Sequence, residues 1–166
     1  QINIQVGDIM PEIQKKIELL QKIAHRFNEA NIEWALGASM LLYFKGILSE
    51  FHDIDLMVSV HDAEQVRTIL SEMGELHAPA SASDPMYRTK VFMEFTIDSV
   101  DIDVMAGFSI VSEGKVYDCS LDKEQIVERM TLGTEIVPLQ SLRLWCKYYR
   151  LMGRNKKADM IENNCK

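Results

Sequence analysis

The chain has 166 residues, enough for one domain with a single core that needs no disulfide or metal staple. With 18 basic against 25 acidic residues and a net charge of −7, it lacks the basic surface that non-specific nucleic-acid binding requires. No apolar run approaches the roughly 18 residues of a membrane helix, so no membrane association is expected. The first ten residues, QINIQVGDIM, are neither basic nor apolar enough for a signal peptide, and the missing Met reads as a trimmed start. Cys119, Cys146 and Cys165 make an odd count without paired spacing, which predicts free thiols in a reducing, cytoplasmic setting and no thiolate metal site.

The elements follow in chain order. Ile13, Ile17, Leu20, Ile23 and Phe27 recur at helical spacing and predict a helix over residues 11–30, with Pro11 in its first turn. A short strand over 33–36 ends at Gly37, and a compact helix over 39–45 stops at Gly46. Residues 53–60 read as a strand. Asp62 and Gln65 resemble a capping box opening a helix that Gly74 would close. Residues 78–85 are a loop by composition. Two strands, 88–97 and 100–105, meet in a hairpin at Asp98-Ser99, and short strands are expected at 116–119 and around Gly133. Pro138 leads into a helix over 139–152, and a last helix follows Gly153. No repeat or linker interrupts the chain. The expectation is a single α+β (α/β-like) domain over 1–166, with a mixed, mainly antiparallel sheet flanked by helices. Its core spans about 32–138, and a C-terminal helical part spans about 139–166.

Two segments carry the chemistry. His52-Asp53-Ile54-Asp55-Leu56 sets two aspartates at i and i+2 on a strand, so both point to one face and the branched residues to the other. Val100-Asp101-Ile102-Asp103-Val104 repeats the pattern. Carboxylates converging from adjacent strands repel one another, and a cation relieves the repulsion. Hard oxygen donors of this kind suit Mg²⁺, and an ion pair about 3.5–4 Å apart would serve a phosphoryl displacement. Spacing alone leaves a second reading, in which both aspartate faces are merely wet. Trp34-Ala35-Leu36-Gly37-Ala38-Ser39-Met40 adds a strand, a glycine turn and a helix start, where backbone N–H groups and the Ser39 hydroxyl would cradle phosphate.

Taken together, Leu36-Gly37-Ala38-Ser39, Asp53-Ile54-Asp55-Leu56 and Ile102-Asp103-Val104 resemble the nucleotidyltransferase superfamily named for DNA polymerase beta. Its pattern is a glycine turn opening a helix, then Asp-x-Asp on the next strand, then a third flanked acidic residue. Pro138-Leu139, Lys147 and Gly153-Arg154-Asn155-Lys156 are similar to the ending of small bacterial members that act on lincosamide and aminoglycoside antibiotics. Ala38 stands where the family has Gly or Ser, and the interval from Gly37 to Asp53 is longer than its usual one.

The resemblance implies a nucleotidyltransferase fold and transfer of a nucleoside monophosphate from an NTP, ATP in the first instance, to the hydroxyl of a small molecule such as an antibiotic. Asp53, Asp55 and Asp103 would be the catalytic residues and would hold Mg²⁺ or Mn²⁺. Asp103 is preferred to Asp101 for its apolar flanks. Gly37, Ser39, Lys147 and Arg154 would bind the nucleotide. An alternative is a catalytically silent or antitoxin-like member that binds a partner protein, and a homodimer is also compatible. Independently, Arg143, Lys147, Arg150 and Arg154 fall at i, i+4, i+7 and i+11 on one helical stripe. The stripe either faces the triphosphate or is the helix's wet side. His52 is the one histidine beside the aspartates, and the reading given it is structural.

Overall fold

A computed structural model of the chain describes residues 11–164. The signal-peptide reading of residues 1–10 and the thiol of Cys165 lie outside the described residues. The elements are α1 (Pro11–Glu29), β1 (Trp34–Gly37), α2 (Ala38–Phe44), β2 (Ile54–Val58), α3 (Ala63–Met73), β3 (Glu75–Leu76), β4 (Val91–Ile97), β5 (Val100–Ala106), β6 (Ser109–Ser112), β7 (Lys115–Asp118), β8 (Glu128–Leu132), β9 (Glu135–Leu139), α4 (Leu142–Leu151) and α5 (Asn155–Asn164). Seven strands form one sheet in the order β3-β4-β5-β2-β1-β9-β8, and β6 and β7 make a separate ribbon. Only β2–β5 and β1–β9 pair in parallel within the large sheet, so the expected mixed, mainly antiparallel sheet is what the chain builds.

The strand periodicity sorts the sheet into two faces. Ile54, Leu56 and Val58 of β2, Ile102 and Val104 of β5, and Met93, Phe95 and Ile97 of β4 are buried on one of them. Helix α1 buries Ile13, Ile17, Leu20, Ile23 and Phe27, the residues its spacing singled out, and packs against β9 and α3, which lies over β3 and β4. Asp98 and Ser99 both take positive φ (51° and 65°), the backbone of a tight two-residue hairpin, as expected between β4 and β5.

Several expectations are corrected. Pro138 and Leu139 do not open a helix: they end β9, where Pro138 pairs with Arg129, and α4 begins at Leu142 with Ser141 as its cap (Leu144 N–H to Ser141 Oγ, 3.0 Å). Asp62 makes no capping bond to α3; its Oδ2 accepts from the Glu33 N–H at 2.8 Å and the Ser59 hydroxyl at 2.9 Å, tying the turn to the start of β1. Gly74 follows α3 in extended backbone, and a Cβ there would stand 2.5 Å from the Thr96 carbonyl oxygen, so it is room rather than a left-handed cap that demands glycine. Strands β3 and β6 were not foreseen, because two and four residues carry too little periodicity. Cys119 is a buried free thiol, and the Cys146 thiol lies 3.6 Å from the Ala158 carbonyl oxygen. Among the described residues no helix is long and apolar enough to cross a membrane.

Candidate active site

Strand register builds the site. Gly37 of β1 pairs with Asp55 of β2, Asp55 with Asp103 of β5, and Asp103 with Glu94 of β4. Residues paired directly across strands share a face, so these four positions form one row on the face opposite the main core. Asp101 and Thr96 pair one pleat further along β5 and β4. The structure thus brings Asp55 and Asp103 side by side, with Asp53 close enough to act on the charge of both.

The electrostatics record that crowding. Asp55 keeps a little surface of its own, yet protein surrounds its carboxyl closely. Burial first, then Asp103 and Asp53, raise its pKa to about 8, against a smaller opposing pull from Lys157 and Arg154. Burial, then Asp53, Glu94 and Asp101, raise Asp103 to about 7. Without a cation Asp55 and Asp103 therefore hold protons up to near-neutral pH, through burial first and the neighbouring carboxylates second.

One end of the row is roofed. A Cβ on Gly37 would lie 2.5 Å from Gln140 Oε1 and 2.7 Å from the Trp145 ring, so α4 covers the aspartate face at β1 and admits only glycine there. Trp145 is fixed by its Nε1–H to Gln140 Oε1 (2.8 Å) and by rings of Phe108, Tyr148 and Tyr149. The other end is open: Phe92 and Glu94 are exposed on β4.

Helix α4 ends in a paired turn. The Gly153 N–H bonds to the Arg150 carbonyl and the Arg154 N–H to that of Tyr149, with Gly153 at φ 76°. This turn breaks the basic stripe read from the sequence. Arg154 no longer follows Lys147 on one helix; it precedes α5 and its charge acts on Asp55. Arg150 is taken up by Asp159 and Glu162 of α5. Lys147, expected at the nucleotide, is exposed and its charge is felt by Cys119. The cation that does reach the row is Lys157, one turn into α5: its Nζ donates to Ser39 Oγ at 2.9 Å, sits 5.3 Å over the Tyr149 ring, and acts on Asp55 and Asp53. Burial and Arg154 lower the Lys157 pKa against that attraction.

Sequence reasoning missed Lys157, although the Gly153-Arg154-Asn155-Lys156-Lys157 run held the signal: glycine ends one helix, and the following basic residues start the next in a new direction. It missed Tyr149 as well. That residue is 1% exposed, and its hydroxyl lies against Ser39 without a hydrogen bond of normal geometry. Helix α2 begins at Ala38, whose φ of 55° is unusual for a residue with a Cβ.

Residues 144–166, confined to α4, α5 and the chain end, match the family model described as far upstream element-binding protein, C-terminal. No curated protein matches the chain. Among solved structures, a candidate nucleotidyltransferase from Thermotoga maritima superposes with a TM-score of 0.71 at 21% identity, over 96% of this chain and 97% of that one. The antibiotic-resistance factor ANT(2'')-Ia superposes with a TM-score of 0.63 at 12% identity, over 92% of this chain and 85% of its own. The lincosamide antibiotic adenylyltransferase LnuA, solved with lincomycin, gives 0.58 at 13% identity, over 87% and 95%. At such identities the likeness is one of architecture, and it extends over nearly the whole chain: this protein has the nucleotidyltransferase fold.

Proposed function

We propose that the protein is a magnesium-dependent nucleotidyltransferase that moves a nucleoside monophosphate from an NTP, ATP in the first instance, to a hydroxyl of a small molecule, releasing pyrophosphate. The observation that carries this reading is the juxtaposition of Asp55 and Asp103 in one row with Lys157, hydrogen-bonded to Ser39, on the roofed side of it. Asp53, Asp55 and Asp103 would supply the all-oxygen donor set that Mg²⁺, or Mn²⁺, takes, and burial together with repulsion from neighbouring carboxylates holds the pKa values of Asp55 and Asp103 up. Bound there, the ion would offset that charge and polarise the phosphate under attack.

The remaining work falls to side chains. Lys157 and Arg154 would neutralise the triphosphate, while Ser39 and the buried Tyr149 hydroxyl beside it would donate to its oxygens. Asp103, toward the open strip of the sheet, would hold the acceptor hydroxyl and receive its proton. The acceptor would approach over Phe92 and Glu94. ANT(2'')-Ia has been solved with adenylyl-2''-tobramycin and LnuA with lincomycin, and we infer a hydroxylated acceptor of comparable size, met in the cytoplasm. A silent partner-binding chain has no use for a buried hydroxyl and a lysine held beside Asp55 and Asp53, and this favours transfer.

The test is a thermal-shift screen of the four NTPs with and without Mg²⁺ or Mn²⁺, followed by an acceptor screen that reads pyrophosphate. An NTP at about 100 times its Kd stabilises by about 2.7 kcal/mol. The reading expects that shift only with metal present; no metal-dependent shift with any NTP would overturn it.

A further inference from the structure

His52 sits immediately before Asp53, with its side chain 83% exposed at the edge of the row. Its Nε2 stands 3.5 Å from Asp53 Oδ1 and 3.4 Å from Asp101 Oδ2. Both separations exceed the 2.7–3.2 Å of an N–H···O hydrogen bond. They match instead the spacing of two ligands on one tetrahedral ion: donors about 2.1 Å from zinc stand about 3.4 Å apart. All three donor atoms lie within 4.8 Å of one another. We propose that His52, Asp53 and Asp101 form a site for a transition-metal cation of the zinc class, distinct from the all-oxygen row of Asp55 and Asp103.

Two further features support it. An imidazole nitrogen suits zinc and its neighbours, whereas magnesium takes oxygen ligands and retains water, so the donor set itself separates the two cations. Asp101 is also oriented for the task. Thr96 Oγ1 donates to Asp101 Oδ1 at 3.2 Å, and the same hydroxyl lies 2.7 Å from His77 Nε2, leaving Oδ2 for the ion. Supporting bonds of this kind hold a metal ligand in place. The two aspartates of β5 then have separate work: Asp103 faces Asp55, and Asp101 faces His52. The proposal goes beyond nucleotidyl transfer and touches it only through Asp53, which borders both sites.

The experiment titrates metal-free protein with Zn²⁺ against a chromophoric chelator, in an Asp55→Asn background so that the pairing of Asp55 with Asp103 contributes little. No nucleotide or acceptor is present, so its outcome is independent of any transfer activity. His52→Ala and Asp101→Asn should each weaken zinc binding at least tenfold. His25→Ala should leave it within twofold, because Glu135 and Glu29 meet opposite nitrogens of that ring and cannot share one ion with it. A melt in EDTA checks that each variant is folded, and at so exposed a position His52→Ala is expected to melt as its parent does. Zinc affinity unchanged by His52→Ala, or no zinc binding before that substitution, would overturn the proposal.

Discussion

Lys157 Nζ donates to Ser39 Oγ at 2.9 Å, joining the last helix to the glycine turn across 118 positions of sequence. The contact holds a half-buried ammonium beside Asp55 and Asp53. Hydrogen bonds to charged groups contribute about 1.5–3 kcal/mol. Lys157→Ala should therefore weaken Mg²⁺-ATP binding roughly 10- to 100-fold in a calorimetric titration. Lys147→Ala should change both binding and stability by less than about 0.5 kcal/mol, as for an ordinary surface residue. Equal losses in the two variants would contradict the placement of the basic residues.

Gly37 and Ala38 should respond with opposite signs. Ala38 has φ 55°, a conformation that costs a residue with a Cβ about 1–2 kcal/mol, while glycine adopts it freely. Set against glycine's greater entropy when unfolded, Ala38→Gly should stabilise by on the order of 0.5–1 kcal/mol. Gly37→Ala would drive a Cβ into Gln140 and Trp145 and should destabilise by about 1–3 kcal/mol. Denaturant melts of the two variants decide it.

Tyr149→Phe removes a buried hydroxyl that lies against Ser39 without a hydrogen bond of normal geometry in the free protein. An unsatisfied buried group costs about 1–3 kcal/mol, so the variant should melt later than its parent while binding Mg²⁺-ATP more weakly. A less stable variant with unchanged nucleotide affinity would assign the hydroxyl a purely structural bond.

The raised aspartate pKa values fix a pH dependence. Between about pH 4 and pH 8 the folded, metal-free protein holds protons on Asp55 and Asp103 that the unfolded chain, with its ordinary value of 3.8, has released. The folded state binds more protons, so stability falls as pH rises through this window and levels off above it. Magnesium needs the ionised carboxylates, so its affinity should rise from pH 6 to pH 8 with release of protons. Melts in EDTA across this range, and magnesium titrations at its ends, measure both slopes.

Much of this was legible in the sequence because its cause is local. The i, i+2 aspartates with branched residues between them set which face of β2 and β5 each side chain takes, and the strand pairing needed only to bring Asp55 beside Asp103. Asp98-Ser99 and Gly133 marked their hairpins for the same reason. The start of α4 was misread because Pro138 suits both a first helical turn and a strand end, and only pairing with Arg129 decides between them. The basic stripe failed because it assumed one continuous helix, whereas Gly153 ends α4 and turns Arg154 and Lys157 back toward the aspartates. Tyr149 carried no signal, since a buried tyrosine on an apolar helix face looks like any other core residue until its hydroxyl is found against Ser39.

The central claim is that Asp53, Asp55 and Asp103 converge to hold a metal-bound nucleotide, and Asp55→Asn tests it most directly. Neutralising the most crowded carboxylate relieves repulsion in metal-free protein. The account therefore predicts a variant more stable than its parent by on the order of 1 kcal/mol at pH 8 in EDTA, with a flatter pH profile, that gains nothing from Mg²⁺-ATP. The measurement is a denaturant melt of parent and variant in EDTA, repeated with excess Mg²⁺ and ATP. A variant destabilised in EDTA that is still stabilised by Mg²⁺-ATP would contradict the account.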